Sequence, residues 1–158
     1  MNNIFKTLAL LSVLRVTACS SDGDANDGVA VSESVNETIS DVEVNDLARE
    51  ALATTVFYFG FDSDELSAED RAILVYHAER LKGSTDLSIR LEGHASEEGT
   101  REYNLALGER RGNAVAMFLV ANGVARSQIE VVSYGEEQPA VQGSTESDRA
   151  KNRRVEIK

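Results

Sequence analysis

The stretch from Leu87 to Val124 does most to restrict what this chain can become. Leu87, Ile89 and Leu91 alternate with Asp86, Ser88, Arg90 and Glu92, the two-residue period of a half-buried strand. Gly93 and Gly99 then bracket a polar turn, and a long helix is predicted beyond it. On that helix Tyr103, Leu107, Ala114, Phe118 and Ala121 share one face. Asn122-Gly123 supplies a C-terminal stop, with Val124 placed for the hydrophobic contact that closes such a stop. Arg111 projects within about 40° of the centre of the apolar stripe. A guanidinium there must either reach solvent along its stem or meet an anion.

The flanking segments predict one small domain built around this unit. Val56 to Phe61 is dense in aromatic and β-branched residues and reads as a buried strand ending at Asp62. Ser67-Ala-Glu-Asp70 opens a helix that carries Ile73, Tyr76, His77, Arg80 and Leu81 at helical spacing and stops at Gly83. Ile129 to Tyr134 is a third strand, closed by Gly135, and Arg154 to Lys158 alternates as a last one. Between them Glu136 to Arg149 is polar, contains Pro139, and reads as a loop with one helical turn. Asp46 to Leu52 adds a short helix in front. The order β-α-β-α-β-β implies an α+β two-layer sandwich, helices packed on one face of a mixed sheet with two crossover connections. The domain is expected over 46–158.

Ahead of it the chain changes character. Lys6, an apolar run from Leu8 to Leu14 and then Val16-Thr17-Ala18-Cys19 read as an export signal over 1–18. It resembles a bacterial lipoprotein signal, interrupted by Arg15. That resemblance implies that Cys19, the chain's one cysteine, carries the lipid, and that Ser20 behind it sorts the protein to the outer membrane, facing the periplasm. No other run approaches the roughly 20 apolar residues of a spanning helix. From 19 to 45 the composition is too polar for a core and reads as an acidic disordered tether, spanning about 25–30 Å as a coil and roughly 75 Å extended. Cys19 to Glu50 holds nine acidic residues against Arg49 alone. With 16 Lys and Arg against 27 Asp and Glu overall, the chain is not built to neutralise phosphates, which argues against nucleic acid.

Catalysis finds little support. His94 beside Glu97 and Glu98 could be a general base, and Ser96 a nucleophile, but there is no His-Glu-x-x-His pair and no Gly-x-Ser-x-Gly elbow. A lipidated Cys19 leaves no thiol, and His77 sits on a helix, so a metal site lacks ligands and no cofactor is expected. His94 reads as a loop histidine hydrogen-bonded to backbone. A binding site fits better. The loop after Leu91, the start of the long helix, Asp62, and the basic run Arg149 to Arg154 can converge at one end of the sheet. Fixed guanidiniums beside carboxylates recognise a small zwitterion, because a carboxylate takes a bidentate fork while an ammonium needs an acceptor.

Seven blocks in order carry a family resemblance: Phe59-Gly-Phe-Asp62, Glu92-Gly-His-Ala95, Glu98-Gly-Thr100, Glu102 to Arg111, Val132-Ser-Tyr-Gly-Glu136, Gln138-Pro-Ala-Val141 and Lys151-Asn-Arg-Arg154. From about Thr55 to Lys158 the chain resembles the OmpA-like peptidoglycan-binding domain family, most closely its peptidoglycan-associated lipoproteins. The resemblance implies non-covalent binding of the diaminopimelate-bearing stem peptide of the cell wall. It also implies a place in the Tol-Pal system, with periplasmic partners such as TolB. Arg111 matches the arginine that pairs with the diaminopimelate carboxylate, and Phe61 and Asp62 match residues lining the pocket. The same resemblance brings His94, Ser96, Glu97, Leu107 and Arg153 into the expected peptidoglycan-binding set. In one place the chain departs. Where the family has Gly-His-Ala-Asp-Glu-Arg-Gly-Thr, this sequence has Gly-His-Ala-Ser-Glu-Glu-Gly-Thr, so the family's main ligand-binding aspartate is Ser96 and its arginine is Glu98. Losing a charge-assisted bond there costs roughly 1.5–3 kcal/mol, unless Glu97 or Glu98 restores the charge. Two readings follow: a wall tether with a retuned pocket, or an OmpA-like lipoprotein with weakened wall binding that acts as a periplasmic protein-interaction scaffold.

Overall fold

The computed structural model describes residues 45–158. The expected signal, the lipidated Cys19 and almost all of the tether lie outside the described residues. Helix α1 runs through 45–53. It is followed by β1 (Val56–Tyr58), α2 (Ala68–Lys82), β2 (Ile89–His94), α3 (Arg101–Ala121), a 3-10 turn (Arg126–Gln128), β3 (Ile129–Gly135), α4 (Glu146–Asn152) and β4 (Arg154–Ile157). The strands form one mixed sheet in the order β1-β4-β2-β3. β2 and β3 are parallel, joined through α3, while β4 lies antiparallel between β1 and β2. The predicted α+β sandwich is therefore the architecture. Among the described residues no helix is long and apolar enough to cross a membrane.

The core forms where α2 and α3 meet the sheet. Leu74, Ala78 and Leu81 of α2 and Val115, Ala116 and Leu119 of α3 close over Phe57, Leu91, Ile129 and Val155. The alternate strand residues Arg90, Glu92, Glu130 and Glu156 lie on the other face, where Arg90 pairs with Glu130 and Arg154 and Lys158 pair with Glu156. Two helix ends follow their sequence signals. Ser67 accepts the Asp70 amide at 3.0 Å to start α2. At the end of α3, Gly123 adopts φ 95° and donates to Val120 O, and Val124 donates to Leu119 O and is buried.

Several expectations are corrected. β1 stops at Tyr58, and beyond it Phe59 makes a single backbone bond to Arg153 O. β1 is a short strand that, among the described residues, lies at the edge of the sheet, and its side chains alternate across the sheet, Phe57 buried and Tyr58 exposed. Gly93 is no turn residue: β2 continues to His94, and Leu87 lies outside it, partly exposed. Gly83 ends α2 with right-handed φ −70°, so its lack of a side chain is not what stops the helix. The buried face of α3 is also rotated from the predicted one. It carries Asn104, Leu107, Gly108, Arg111, Gly112, Val115, Ala116 and Leu119, whereas Tyr103 is 42% exposed. The reason is close packing through glycine. A Cβ on Gly93 would lie 1.9 Å from Gly108 O, and one on Gly108 only 2.4 Å from Ser133 Oγ. Backbone touches backbone where a hydrophobic stripe would otherwise stand.

Candidate functional site

That close approach positions Arg111. One turn beyond Gly108, its side chain lies between α3 and the end of the sheet, fully buried. It neither reaches solvent nor pairs with a carboxylate. Nε donates to Ser63 O at 2.8 Å, Nη1 to His94 O at 2.8 Å and Nη2 to Gly60 O at 2.9 Å. The guanidinium also lies 5.4 Å from the Phe59 ring centroid. Three of its five N–H groups are thereby used. Burial, then the charge of Arg153, push its pKa down to about 10, so it stays cationic at neutral pH. Among the described residues no acidic side chain lies within ion-pair distance of it.

A pocket of about 220 Å³ opens over this cation. Phe61, Asp62, Ser96, Leu107 and Arg153 line it together with Arg111. Asp62 follows β1 with φ 51°, a left-handed conformation that Asp tolerates better than most residues, and its carboxylate accepts the Tyr103 hydroxyl. Arg153 is buried beneath the rim. Its Nη2 donates to Glu146 Oε1 at 2.6 Å and its Nε to Phe59 O at 3.3 Å, while Nη1 is buried without a hydrogen-bond partner. The pocket thus holds two guanidiniums at its base, against Asp62 and Glu98.

Two expected residues fall outside it. His94 is not a loop residue; it ends β2, is buried, and stacks on Tyr134 with ring centroids 5.5 Å apart. Neither ring nitrogen has a hydrogen-bond partner, and only the His94 carbonyl serves the site, through Arg111. Burial, then nearby Arg154, push its pKa down to about 4. Glu97 turns away to Arg149, whose Nε donates to it at 2.8 Å and holds its carboxyl below the usual range. It borders a separate depression with Glu136 and Pro139.

Glu98, Gly99, Tyr103 and Asn104 also line the pocket. Ser96 donates to Glu98 Oε2 at 3.3 Å, and Glu98 Oε1 lies 3.4 Å from Arg149 Nη1. Asn104 was missed because a polar residue on a helix reads as surface, yet it is buried and donates to Glu136. Its spacing from Leu107, Gly108 and Arg111 was the available signal. A larger open depression of about 380 Å³ lies at the far end of β2 and β3, around Arg90 and Lys158. Both of these cations are paired, with Glu130 and Glu156, so it offers no free charge of this kind.

Residues 58–153 match the OmpA family, and the chain belongs to it. It is similar over nearly its whole length to peptidoglycan-associated lipoproteins. That of Pseudomonas aeruginosa is 45% identical, covering 98% of this chain and 95% of that protein. That of Haemophilus influenzae is 39% identical, covering 98% and 97%. The crystal structure of the Burkholderia pseudomallei peptidoglycan-associated lipoprotein superposes with a TM-score of 0.67 at 41% identity, covering 68% of this chain and 91% of that one. The C-terminal domain of Helicobacter pylori MotB shares the fold, with a TM-score of 0.60 at 24% identity over 66% of this chain and 82% of that one.

Proposed function

We propose that the protein is an outer-membrane lipoprotein that holds the cell wall non-covalently, by gripping the diaminopimelate of a peptidoglycan stem in the pocket over Arg111. The observation that carries this reading is the buried cation itself. Arg111 is satisfied by carbonyl dipoles and, among the described residues, makes no ion pair, Asp64 and Asp62 acting on it only from a distance, and a cation in that setting is stabilised by an anionic ligand. A ligand carboxylate can use its two remaining N–H groups and the vacant Nη1 of Arg153, while Asp62 at the rim suits an ammonium. The apolar sides, Phe61 and Leu107, suit the methylene chain between the two ends. The near-full-length likeness to peptidoglycan-associated lipoproteins supports the same ligand. It also supports a lipid anchor at Cys19 and partners in the Tol system such as TolB. The role is binding rather than catalysis.

Retention on purified sacculi tests this reading. Arg111→Lys keeps the charge but loses the fork and its carbonyl bonds, and retention is expected to fall about tenfold or more, checked beside circular dichroism for folding. Excess free diaminopimelic acid should elute the wild type. Equal retention of both proteins, with no elution by the amino acid, would exclude the pocket. The scaffold reading rests on Ser96, which brings no charge to the pocket, and it requires that the wild type fail to bind sacculi.

A further inference from the structure

We propose that the segment over residues 136–145 is a latch that closes on neutral His94 and that a proton on His94 opens, freeing the end of α4 that carries Arg149 and Arg153. The latch works whatever ligand fills the pocket. Residues 136–145 contain no strand or helix, and most of them are exposed. Side chains fasten them instead. Arg154 Nη2 donates to Gln138 O at 3.3 Å, and Asn152 both donates to Val141 O and accepts from Val141 N, each at 3.1 Å. Asn104 and Arg101 of α3 hold Glu136 and Glu137, and Glu137 N donates to Tyr134 O at 3.0 Å. A stretch fastened by side chains, with no ladder of its own, can open locally while the core stays closed.

His94 lies at the root of this segment. The sheet irregularity between Gly93 and His94 sets His94 beside Gly135, where β3 ends. Its ring is buried against Tyr134, its nitrogens lack a partner in hydrogen-bond geometry, and the Gln138 backbone acts on it from the segment. Its charged neighbours are Arg154 and Glu156 of β4, Lys158 just beyond them, Glu92 earlier on β2, and Arg111 of α3 on its carbonyl. Glu156 already serves both Arg154 and Lys158. A proton on His94 therefore adds a second buried cation beside Arg154, with that carboxylate already shared, and the strain is relieved when the segment leaves and water reaches the ring. Gln138 and Val141 then release Arg154 and Asn152, the residues on either side of Arg153 in the chain.

The test is native-state hydrogen exchange of the full-length protein at pH 7 and pH 5, corrected for intrinsic exchange and read at the Val141 amide, in wild type, His94→Phe and His94→Gln. The closed form refuses the proton down to about pH 4, whereas the open form takes it near the ordinary 6.5, so this change of pH multiplies the open population about twentyfold. Glu146 and Asp148, held below the usual carboxylate range by Arg153 and Thr145, stay ionised across the interval. Val141 protection is therefore expected to fall about twentyfold in the wild type and less than about threefold in both neutral variants. At either pH the amides of Val115 and Leu119 in α3 should exchange far more slowly than that of Val141, which also shows that each variant is folded. Unchanged wild-type protection overturns the proposal. So does an equal fall in the neutral variants, which would assign the effect to carboxylates, and so does a Val141 amide as slow as those of α3, which would mean that the segment opens only with the whole molecule.

Discussion

At the scale of single residues, the molecule keeps two basic side chains dry at the end of β2 and uses them differently. Arg111 remains charged because three carbonyls surround it. His94 remains neutral because burial disfavours its charged form and Arg154 stands nearby. Its folded pKa of about 4 lies below the ordinary 6.5, so between these values the unfolded chain binds a proton that the folded chain refuses. Stability must therefore fall as pH drops through that window. Urea denaturation at pH 7 and pH 5 is expected to show His94 contributing a loss of about 2 kcal/mol, which His94→Phe removes. His77, lowered by burial, shifts stability in the same direction, so the variant flattens the slope without abolishing it. A slope unchanged in His94→Phe would contradict this. The environment of His94 could not be read from its neighbours in sequence, since Tyr134 and Arg154 reach it only through the sheet. Arg111, by contrast, stood out on its helix; what the sequence lacked was the third answer to its charge, backbone carbonyls in place of solvent or an anion.

At the scale of elements, α3 is held by absence. Gly93, Gly108 and Gly112 let the helix backbone lie against β2 and β3, and a Cβ at Gly112 would come within 2.7 Å of Val131 Cγ1. Gly93→Ala would push its methyl into the Gly108 carbonyl, where only the helix itself can move. Such overpacking costs typically 1–3 kcal/mol, so thermal unfolding should drop by roughly 5–20 °C. The variant should also lose wall binding at temperatures where it remains folded, because a displaced α3 carries Arg111 with it. A Gly93→Ala protein with an unchanged Tm would contradict the packing. This contact explains which elements were readable. Strands β3 and β4 and the cap residues Ser67, Gly123 and Val124 carry local signals in their own side chains. The inner face of α3 is written in glycine, asparagine and arginine, so a search for hydrophobic periodicity turned the helix toward Tyr103. The end of β1 and the length of α4 depend on pairing and packing partners far away in sequence, and no local pattern marks them.

At the scale of the whole molecule, the loop after β1, the turn after β2, the start of α3 and the segment ending α4 meet at one end of the sheet, and their charges face one another there. Ser96 and Glu98 lie within this arrangement. The acidic, polar segment before the domain suits attachment at a distance, with the pocket working away from the membrane that the proposed anchor would occupy. Calorimetric titration of the full-length protein with a diaminopimelate-containing muropeptide measures whether the proposed pocket over Arg111 binds the wall's stem peptide. The expected result is one site with a dissociation constant in the micromolar range or tighter, about −8 kcal/mol. An absence of measurable heat from the folded protein at several temperatures would contradict it, and the chain would then have to be understood through protein partners instead.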